Sequence, residues 1–513
     1  MTVLPAQSEG MTPARRALIT VSIMLATIMQ ALDTTIANVA LPHIQGSLSA
    51  AADQISWVLT SYIVAAAIAT PLTGWTAGRY GRKPIFLISV AGFTATSALC
   101  GMAGSLTQIV IYRLLQGFCG AALVPLSQAI LFDINPTEKH GSAMAIWGAG
   151  IMVGPILGPA LGGWLTDNYS WRWVFYINLP VGILAFAGIA SFVRDHRRGT
   201  PLAFDFFGFS ALSLGVGALQ MMLDRGELKG WFGASEIWVE ALLSCLGFYW
   251  FVVHTATCRS GSFLNRALLK DRNFLAGNMF IFFVAGVLFS TLALLPTMLQ
   301  VLLHYPVTTT GLVTAPRGIG TLLAMALVGR LIGRIDIRLI LLFGLALTAF
   351  ALWQMTQFDL QMGMAPVILS GLSQGFGLGF VFVPLTTVSF ATLDRELRTE
   401  GTAIFGLMRS LGGSIGISVV EALFTENTQV VHSVLVEHVR PDNPLAQLLG
   451  VPLVSATARQ LAAINAAVTQ QAAMIAYLDD FKLVMLVTIG MMPLLLLLKS
   501  PGNPAVGSAR PRK

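Results

Sequence analysis

An aspartate and an arginine stand inside apolar stretches that are long enough to cross a membrane. Asp33 lies in SIMLATIMQALDTTIANVALP, residues 22–42, and Arg113 lies in the apolar stretch near 108–131. An ionised Asp at the centre of a span costs about 2.5–3.5 kcal/mol on insertion scales, so it needs a partner or a purpose. Arg113 is the nearby candidate partner, and a static ion pair is one interpretation.

A carboxyl group in this setting could also carry a proton. Burial favours the neutral form of Asp33 and a neighbouring Arg113 favours the charged form. A group balanced between the two could bind a proton on one side of the membrane and release it on the other. Asp33 and Arg113 are therefore candidate proton-coupling residues. A structural Asp33 held by Ser or Thr side chains is the alternative.

The composition places the chain in a bilayer. Of its 513 residues, 55% are hydrophobic and 11% are charged, whereas soluble proteins carry about 25% charged residues. Apolar runs of about 20 residues, the length that crosses the hydrocarbon core, recur along the sequence. We predict an all-α integral membrane protein with 14 spans, near residues 17–40, 55–77, 84–103, 108–131, 142–164, 173–193, 206–223, 235–254, 273–299, 309–329, 338–356, 365–390, 402–423 and 482–498.

Lys and Arg are distributed as in a multi-pass inner-membrane protein with both termini in the cytoplasm. In that orientation 22 of them fall in inside loops and six in outside loops, and cytoplasmic loops collect positive charge. The net charge of +7 then reflects topology, so no nucleic acid partner is expected. The four cysteines show no metal-ligand spacing, and we expect neither a metal nor a cofactor.

The chain contains a duplication and an insertion. RLLQGFCGAALVPLSQAIL (113–131) is echoed by GLSQGFGLGFVFVPLTTVSF (371–390), and two other segment pairs repeat at similar offsets. Parallel halves around a mid-membrane site are a transporter architecture, although Gly-rich helices also resemble one another by composition. The predicted parts are a cytoplasmic N-terminus 1–16, a six-helix half 17–193, two inserted helices with loops 194–272, a six-helix half 273–498 including a periplasmic loop 424–481, and a cytoplasmic tail 499–513.

The segment GWTAGRYGRK, residues 74–83, lies in the predicted inside loop between spans 2 and 3. Its glycines allow a tight turn and close helix approach. Its arginines can pair with carboxylates or helix C-termini when the cytoplasmic side is shut. Simple positive-inside anchoring is the alternative. The candidate gate residues are Gly74, Gly78, Arg79, Gly81, Arg82 and Lys83.

Spans 4 and 5 each carry a motif. Gln116 and Gly117 share a helical face with Arg113. Span 5 reads GAGIMVGPILGPALGGW. Its glycine stripe allows backbone-to-backbone packing and its prolines bend the helix, which suggests a sealed helix interface rather than packing alone. The residues of this second motif are Gly150, Gly154, Pro155, Gly158, Pro159, Gly162 and Gly163.

Two further cations lie inside predicted spans. Arg317 and Arg409 could line a cavity and favour anionic or zwitterionic compounds, or either could pair with Glu421. The candidate cavity residues are Gln30, Asn38, Trp57, Tyr62, Arg317, Arg409 and Glu421.

These motifs resemble the major facilitator superfamily, and in particular its 14-span drug:proton antiporters of the EmrB/QacA type. Residues 74–83 match the signature G-x-L-A-D-R-x-G-R-K, span 4 matches Arg-x-x-Gln-Gly, and span 5 resembles the antiporter signature G-P-x-x-G-P-x-x-G-G. LDTTIANVALP, WVLTSY, WRWVFYINLPVG, LDRGELKGWF and RSLGGSIG extend the likeness. It implies the major facilitator fold of two six-helix halves plus two inserted helices. It also implies proton-driven export of amphipathic toxic compounds, with Asp33 taking part in coupling.

One residue departs from the family pattern. Gly78 stands where the gate loop should carry an acidic residue, so a charge relay through that acid cannot be assigned and Arg79 and Arg82 need other partners. The resemblance further implies a periplasmic membrane-fusion adaptor (EmrA-like) and an outer-membrane channel (TolC-like). The Ala/Gln-rich part of 424–481 could dock such an adaptor or could form a helical flap.

Other function classes fit less well. We find no membrane metalloprotease motif and no serine elbow for an intramembrane enzyme. A transporter-like sensor would be expected to carry a signalling domain, which the sequence does not indicate. Within transport, the alternative to multidrug efflux is dedicated export of one metabolite, siderophore or fatty acid.

Overall fold

A computed structural model describes residues 12–136, 139–194, 204–258, 263–439 and 457–498. The described residues form helices and short connections, with no β-strand among them. Thirteen helices are long and apolar enough to cross a membrane, and a bent pair, Trp57–Ala69 with Leu72–Tyr80, forms one more. The predicted all-α membrane fold with 14 transmembrane helices is confirmed.

The N-terminal half contains ten helices. The bend of 54° between α3 and α4 falls at Thr70–Pro71, where proline removes a backbone hydrogen bond. The helices are α1 Pro13–Leu48, α2 Ala52–Ile55, α3 Trp57–Ala69, α4 Leu72–Tyr80, α5 Arg82–Met102, α6 Leu106–Gly120, α7 Leu123–Ile134, α8 His140–Asn168, α9 Trp173–Tyr176 and α10 Asn178–Phe192.

The inserted pair and the C-terminal half follow. The insertion consists of α11 Phe206–Lys229 and α12 Ser235–Thr257. Short α13, Arg266–Lys270, then leads to α14 Arg272–Val301, α15 Val307–Leu331, α16 Ile337–Met355, α17 Met364–Ala391, α18 Arg398–His438 and α19 Ala458–Met491. A 3-10 turn, Met492–Leu497, closes the described part.

Two C-terminal helices extend well beyond the predicted spans 402–423 and 482–498. The 41 residues of α18 correspond to about 60 Å at 1.5 Å per residue, twice the hydrocarbon thickness. Within the predicted connection 424–481, residues 424–438 and 458–481 are helical, which agrees with the helical alternative for its Ala/Gln-rich part; residues 440–456 lie outside the described residues. The two extensions pair through Phe424 and Tyr477, with ring centroids 4.3 Å apart, and through His432 and Asn465. Hydropathy identifies only lipid-facing length, so the pairing of the two extensions was not predicted.

Several contacts join the two halves at the end of the bundle where the described chain begins and finishes, here called the terminal end. The Thr402 hydroxyl donates to the Pro125 carbonyl at 3.1 Å. The rings of Phe132 and Phe390 lie 5.2 Å apart, and Gly141 packs against Ile332. These contacts close the space between the halves at the terminal end.

Candidate functional site

The Asp33 carboxylate accepts three hydrogen bonds inside the N-terminal half. Arg113 Nη1 donates to Oδ2 at 2.6 Å, and Gln116 Nε2 and Asn178 Nδ2 donate to Oδ1 at 2.9 and 2.8 Å. Asp33 and Arg113 are each 1% exposed. The structure therefore brings the two candidate coupling residues into one enclosed ion pair. The side chains that donate to Asp33 are those of Arg, Gln and Asn, rather than Ser or Thr.

The Arg113 guanidinium is held on its other sides as well. Its Nε donates to the Val58 carbonyl at 3.1 Å, and its Nη1 donates to Gln116 Oε1 at 2.8 Å. The Tyr62 ring lies 4.3 Å from the guanidinium carbon, in cation–π geometry. A buried pair with satisfied donors is stable as a unit, and removal of one partner typically costs about 3–5 kcal/mol. Any change in the charge of Asp33 must therefore disturb its surroundings.

Close helix packing brings α6 to this site. A Cβ at Gly117 would collide with the Tyr62 carbonyl, so α6 can approach α3 this closely only with glycine there. Asn178 begins α10, and its Nδ2 also donates to Ser97 Oγ at 3.0 Å. Groups from α1, α3, α5, α6 and α10 therefore meet around the Asp33–Arg113 pair.

The glycine motif of α8 lies along α1, the helix that carries Asp33. A Cβ at Gly154 would lie 2.5 Å from the Ala31 backbone, one at Gly158 would collide with Thr35, and one at Gly162 would lie 3.3 Å from Ile36. Gly150 faces Met24, and a Cβ at Gly163 would lie 4.0 Å from the Val39 side chain. The helix continues through Pro155 and Pro159. This packing fixes α1 against α8 and leaves little room for water between them.

The gate motif contributes one ionic network that reaches the other half. Arg82 forms an ion pair with Asp133 at the end of α7. The second Asp133 oxygen lies 3.8 Å from Arg398 Nη1, at the start of α18. Asp133 thus links the gate loop of the N-terminal half to the C-terminal half.

The remaining gate residues have different surroundings. A Cβ at Gly74 would lie 2.9 Å from the Glu400 Cα, while the space around Gly78 is open. Arg79 is exposed and lies over the rings of Trp75 and Tyr80. Lys83 Nζ donates to the Ala190 carbonyl near the end of α10, and Gly81 turns the chain with φ 94°.

Four of the cavity candidates lie in the N-terminal half. Tyr62 is buried beneath Arg113, and Gln30 lies near its hydroxyl. Asn38 is exposed, one turn beyond exposed Thr34 on α1. Trp57 is partly buried, and the guanidinium of Arg225 lies 5.1 Å from its ring.

The other three candidates lie in the C-terminal half and do not pair with one another. Arg317 is 7% exposed and donates to the Thr291 hydroxyl at 2.7 Å, which also accepts from Gln374. Neither Arg317 nor Arg409 forms an ion pair with a described carboxylate. Glu421 is exposed. Burial of an arginine without a carboxylate leaves positive charge in this half.

Arg409 lies on the side of α18 that faces the N-terminal half. A Cβ at Gly406, three residues earlier, would lie 3.8 Å from Thr70, and Thr402, seven residues earlier, bonds Pro125. Residues at these spacings share one helical face. The partly buried Arg409 therefore stands about two turns beyond the Thr402–Pro125 contact that closes the terminal end.

The inserted helix α11 contacts both halves. Asp224 accepts from Thr60 on α3, while the Leu223 carbonyl and Glu227 accept from Ser418 and Thr425 on α18, at 2.5 and 2.6 Å. The insertion therefore lies in the gap between α3 and α18.

Several functional contacts were not singled out in the sequence. Asn178 lies inside the family segment WRWVFYINLPVG, and its polar side chain in an apolar run was the available signal. Asp133 likewise ends an apolar run, before a predicted inside loop. The sequence contains no spacing that would join either residue to its partner.

Comparisons with known proteins agree with this fold. The family model described as Major Facilitator Superfamily matches residues 23–417. The multidrug export protein EmrB of Haemophilus influenzae is 36% identical over 433 residues, covering 84% of each chain. EmrB of Escherichia coli K12 is 35% identical over 445 residues, 86% of this chain and 87% of that one. The fatty acid resistance protein FarB of Neisseria gonorrhoeae is 36% identical over 495 residues, 95% and 97% of the two chains.

Two solved structures share the architecture. The human organic anion transporter MFSD10 (TETRAN) has a TM-score of 0.61 and 16% identity, covering 93% of this chain and 100% of that chain. The proton:xylose symporter XylE has a TM-score of 0.61 and 14% identity, covering 95% and 99%. At these identities the likeness concerns the fold alone. The chain belongs to the major facilitator superfamily. Within that superfamily, it is of the EmrB type.

Proposed function

We propose that this protein is a proton-driven antiporter that exports amphipathic toxic compounds by alternating access. The observation that carries the proposal is the enclosed Asp33 carboxylate, which accepts hydrogen bonds from side chains of two other spans. Protonation of Asp33 would weaken its pairing with Arg113, and the packing of those spans would have to adjust. Membership of a transporter family, with multidrug export proteins among its relatives, supports transport rather than enzymatic catalysis.

The available driving force is sufficient. One charge that crosses 100 mV changes free energy by about 2.3 kcal/mol. One proton driven by about 150 mV could therefore sustain a gradient of roughly 300-fold, since 1.4 kcal/mol corresponds to a factor of ten.

The contacts between halves support a conformation that is closed toward the cytoplasm. We assign the terminal end to the cytoplasmic side because Lys and Arg collect there, as on the loop with Arg82 and Lys83. The exposed polar residues Thr34 and Asn38 on α1 would then face an opening toward the periplasm. Alternating access would separate Thr402 from Pro125 and Arg398 from Asp133, opening the cytoplasmic side of an inner-membrane protein.

The charge of the cavity supports anionic or zwitterionic compounds. The N-terminal half neutralises Arg113 with Asp33, whereas Arg317 and Arg409 have no described carboxylate partner. A compound that brings its own carboxylate or other oxyanion would satisfy a cation that the protein leaves unpaired. Both cations are candidates for this role: Arg317 lies beside Thr291 inside the C-terminal half, and Arg409 lies on the face of α18 turned to the other half.

A dedicated exporter of one metabolite, siderophore or fatty acid is the second candidate. The similarity to the fatty acid resistance protein FarB, which extends over 95% of this chain, favours the fatty acid version. Both candidates use the same mechanism and differ in the range of accepted compounds.

We further infer a periplasmic partner at the paired extensions of α18 and α19. They leave the membrane-spanning part together, and Leu461 and Val434 on them are about half exposed. A membrane-fusion adaptor (EmrA-like) that leads to an outer-membrane channel (TolC-like) would continue the export route past the periplasm.

Transport into everted membrane vesicles tests the proposal. Energised vesicles with the protein should accumulate a labelled amphipathic compound, and a protonophore should abolish the uptake. Inhibition by chemically unrelated competitors would support multidrug export, whereas inhibition by one chemical class only would support a dedicated exporter. Uptake that is insensitive to the protonophore would contradict proton coupling.

A further inference from the structure

A second buried aspartate, Asp480, lies in the C-terminal half apart from the Asp33 site. It is 1% exposed, and both carboxyl oxygens are enclosed without a hydrogen-bond partner among the described residues. One helical turn before and after it, Ala476 and Val484 are 0% and 4% exposed, so Asp480 is on the buried face of α19. Asp33 differs in this respect, because its carboxylate oxygens accept three hydrogen bonds.

The surroundings of Asp480 are apolar. Phe481 packs against Phe358, with ring centroids 6.2 Å apart, and Tyr477 packs against Phe424. These four residues belong to one apolar cluster, which also includes buried Met298, Leu352 and Val420. An isolated carboxylate in such a place is so unfavourable that the group binds a proton instead. The Asp33 carboxylate lies beside the Arg113 guanidinium, whereas Asp480 has no hydrogen-bond or ion-pair partner among the described residues.

The titratable and charged groups near Asp480 are few. On α19 itself, Asp479 and Lys482 are exposed. Among the packed helices, α14 and α16 carry charge only at their terminal-end starts, Arg272 and Arg338. On α18, Glu421 is exposed and lies three residues before Phe424, whose ring packs on Tyr477. No ion pair joins Asp480 to a described cation.

We propose that Asp480 is a second proton-binding site, loaded in the conformation seen here. A proton from the far side of the membrane binds the Asp480 carboxylate, which becomes a neutral carboxylic acid. Each export cycle then carries one proton at Asp33 and one at Asp480. The role in the export cycle rests on the proposed proton-driven export, whereas the protonation of Asp480 does not.

Infrared spectroscopy of the purified full chain in lipid nanodiscs tests the protonation. The wild type at neutral pH should show a carbonyl stretch of protonated carboxyl groups. This band should lose intensity in Asp480→Asn and keep it in Asp479→Asn, which removes the exposed neighbour with the same charge. A band of unchanged intensity in Asp480→Asn would overturn the proposal. If Asp480→Asn does not elute as a folded protein, Asp480→Glu is used instead, because it retains a titrating carboxyl group. Asp480→Glu should show the band. Absence of the band in this variant would also overturn the proposal.

The proton-to-compound ratio tests the role in transport. In proteoliposomes with a fixed concentration gradient of the compound, the pH gradient at which net transport of the compound is zero gives this ratio. It should fall by one in Asp480→Asn and remain unchanged in Asp479→Asn. An unchanged ratio with the infrared band lost would contradict the role in the cycle. Failure of the wild type to couple protons to any compound would contradict the proposed function, while the infrared result would stand by itself.

Discussion

Arg317 in the C-terminal half occupies the position that Tyr62 occupies in the N-terminal half. Gly375 on α17 packs directly against the Arg317 carbonyl, as Gly117 on α6 packs against the Tyr62 carbonyl. The bonds around them correspond as well, because the amide of Gln374 donates to Thr291 and that of Gln116 donates to Asp33. The duplication has thus kept the packing and changed the charges: the first half holds a neutral pair, and the second holds a lone cation.

Substitution of this lone cation should change the preference for charged compounds. Arg317→Gln removes a positive charge that no described carboxylate balances, so binding of an anionic amphiphile should weaken about tenfold or more, as for loss of a charge-assisted hydrogen bond. Binding of a matched cationic amphiphile should be unchanged or stronger. Equilibrium binding to the purified protein measures both. Arg330→Gln, at an exposed position on the same helix, is the control; equal weakening of both compounds in Arg317→Gln would argue against a charge effect.

Asn178 should stabilise the polar cluster around Asp33. Asn178→Ala deletes one of the three donors to the carboxylate, and a hydrogen bond to a charged group contributes about 1.5–3 kcal/mol. The free energy of unfolding should therefore fall by about that amount. Denaturant unfolding in detergent measures it. Asn168→Ala, at an exposed position on α8, should leave the stability unchanged, and an unchanged stability of Asn178→Ala would refute the assignment.

The glycine interface between α1 and α8 should tolerate added methyl groups only where there is room. Gly154→Ala would press against the Ala31 backbone, which cannot move independently of α1, and should destabilise the protein by about 1–3 kcal/mol. Gly163→Ala meets only Val39, at 4.0 Å. Its unfolding temperature should be unchanged or higher, because alanine favours helix. Thermal unfolding in detergent compares the two, and equal unfolding temperatures would mean that the interface is looser than described.

Asp133 should hold the terminal end closed. Asp133→Asn removes the carboxylate that both Arg82 and Arg398 face. A partly exposed pair contributes up to about 1 kcal/mol, so the open state should become about fivefold more populated. Ala145 is buried opposite Gly329, and Ala145→Cys in a variant without the native cysteines reports opening through its rate of alkylation.

The matched control for the gate is Asp394→Asn. Asp394 lies at the same end, is exposed and has no ion pair among the described residues. Its substitution should leave the alkylation rate of Ala145→Cys unchanged. An increase of equal size in both variants would show that net charge, rather than the Asp133 contacts, determines opening.

The fold was predictable because membrane spans are recognisable by their length and apolarity. The bent second span was also foreseeable as one segment, 55–77, although its break at Pro71 was not assigned. The pairing of the α18 and α19 extensions escaped prediction because it depends on contacts such as Phe424 with Tyr477, which hydropathy does not detect. Helices outside lipid depend on long-range packing, and a single sequence contains no direct record of it.

The site was predictable where a cost was visible in the sequence. Asp33 and Arg113 stand out because a charge in an apolar span is unfavourable, and the internal repeat placed both in the same half. Asn178 and Asp133 are less noticeable in the sequence. The side chain of Asn178 is neutral, and Asp133 lies at the end of a span, so the free-energy cost of placing each of them there is smaller. Asp480 fell just outside the predicted span 482–498, so its complete burial became apparent only when α19 was seen to begin at Ala458.

The most direct test of the central claim is proton release from acidified everted vesicles after addition of an amphipathic compound, with wild type and Asp33→Asn compared. Exposed Asp167→Asn on α8 serves as the control, with the amount of inserted protein measured in each case. The account predicts rapid compound-driven proton release in the wild type and in Asp167→Asn, and none in Asp33→Asn. Proton release of undiminished rate in a well-inserted Asp33→Asn would contradict the claim that Asp33 couples protons to export.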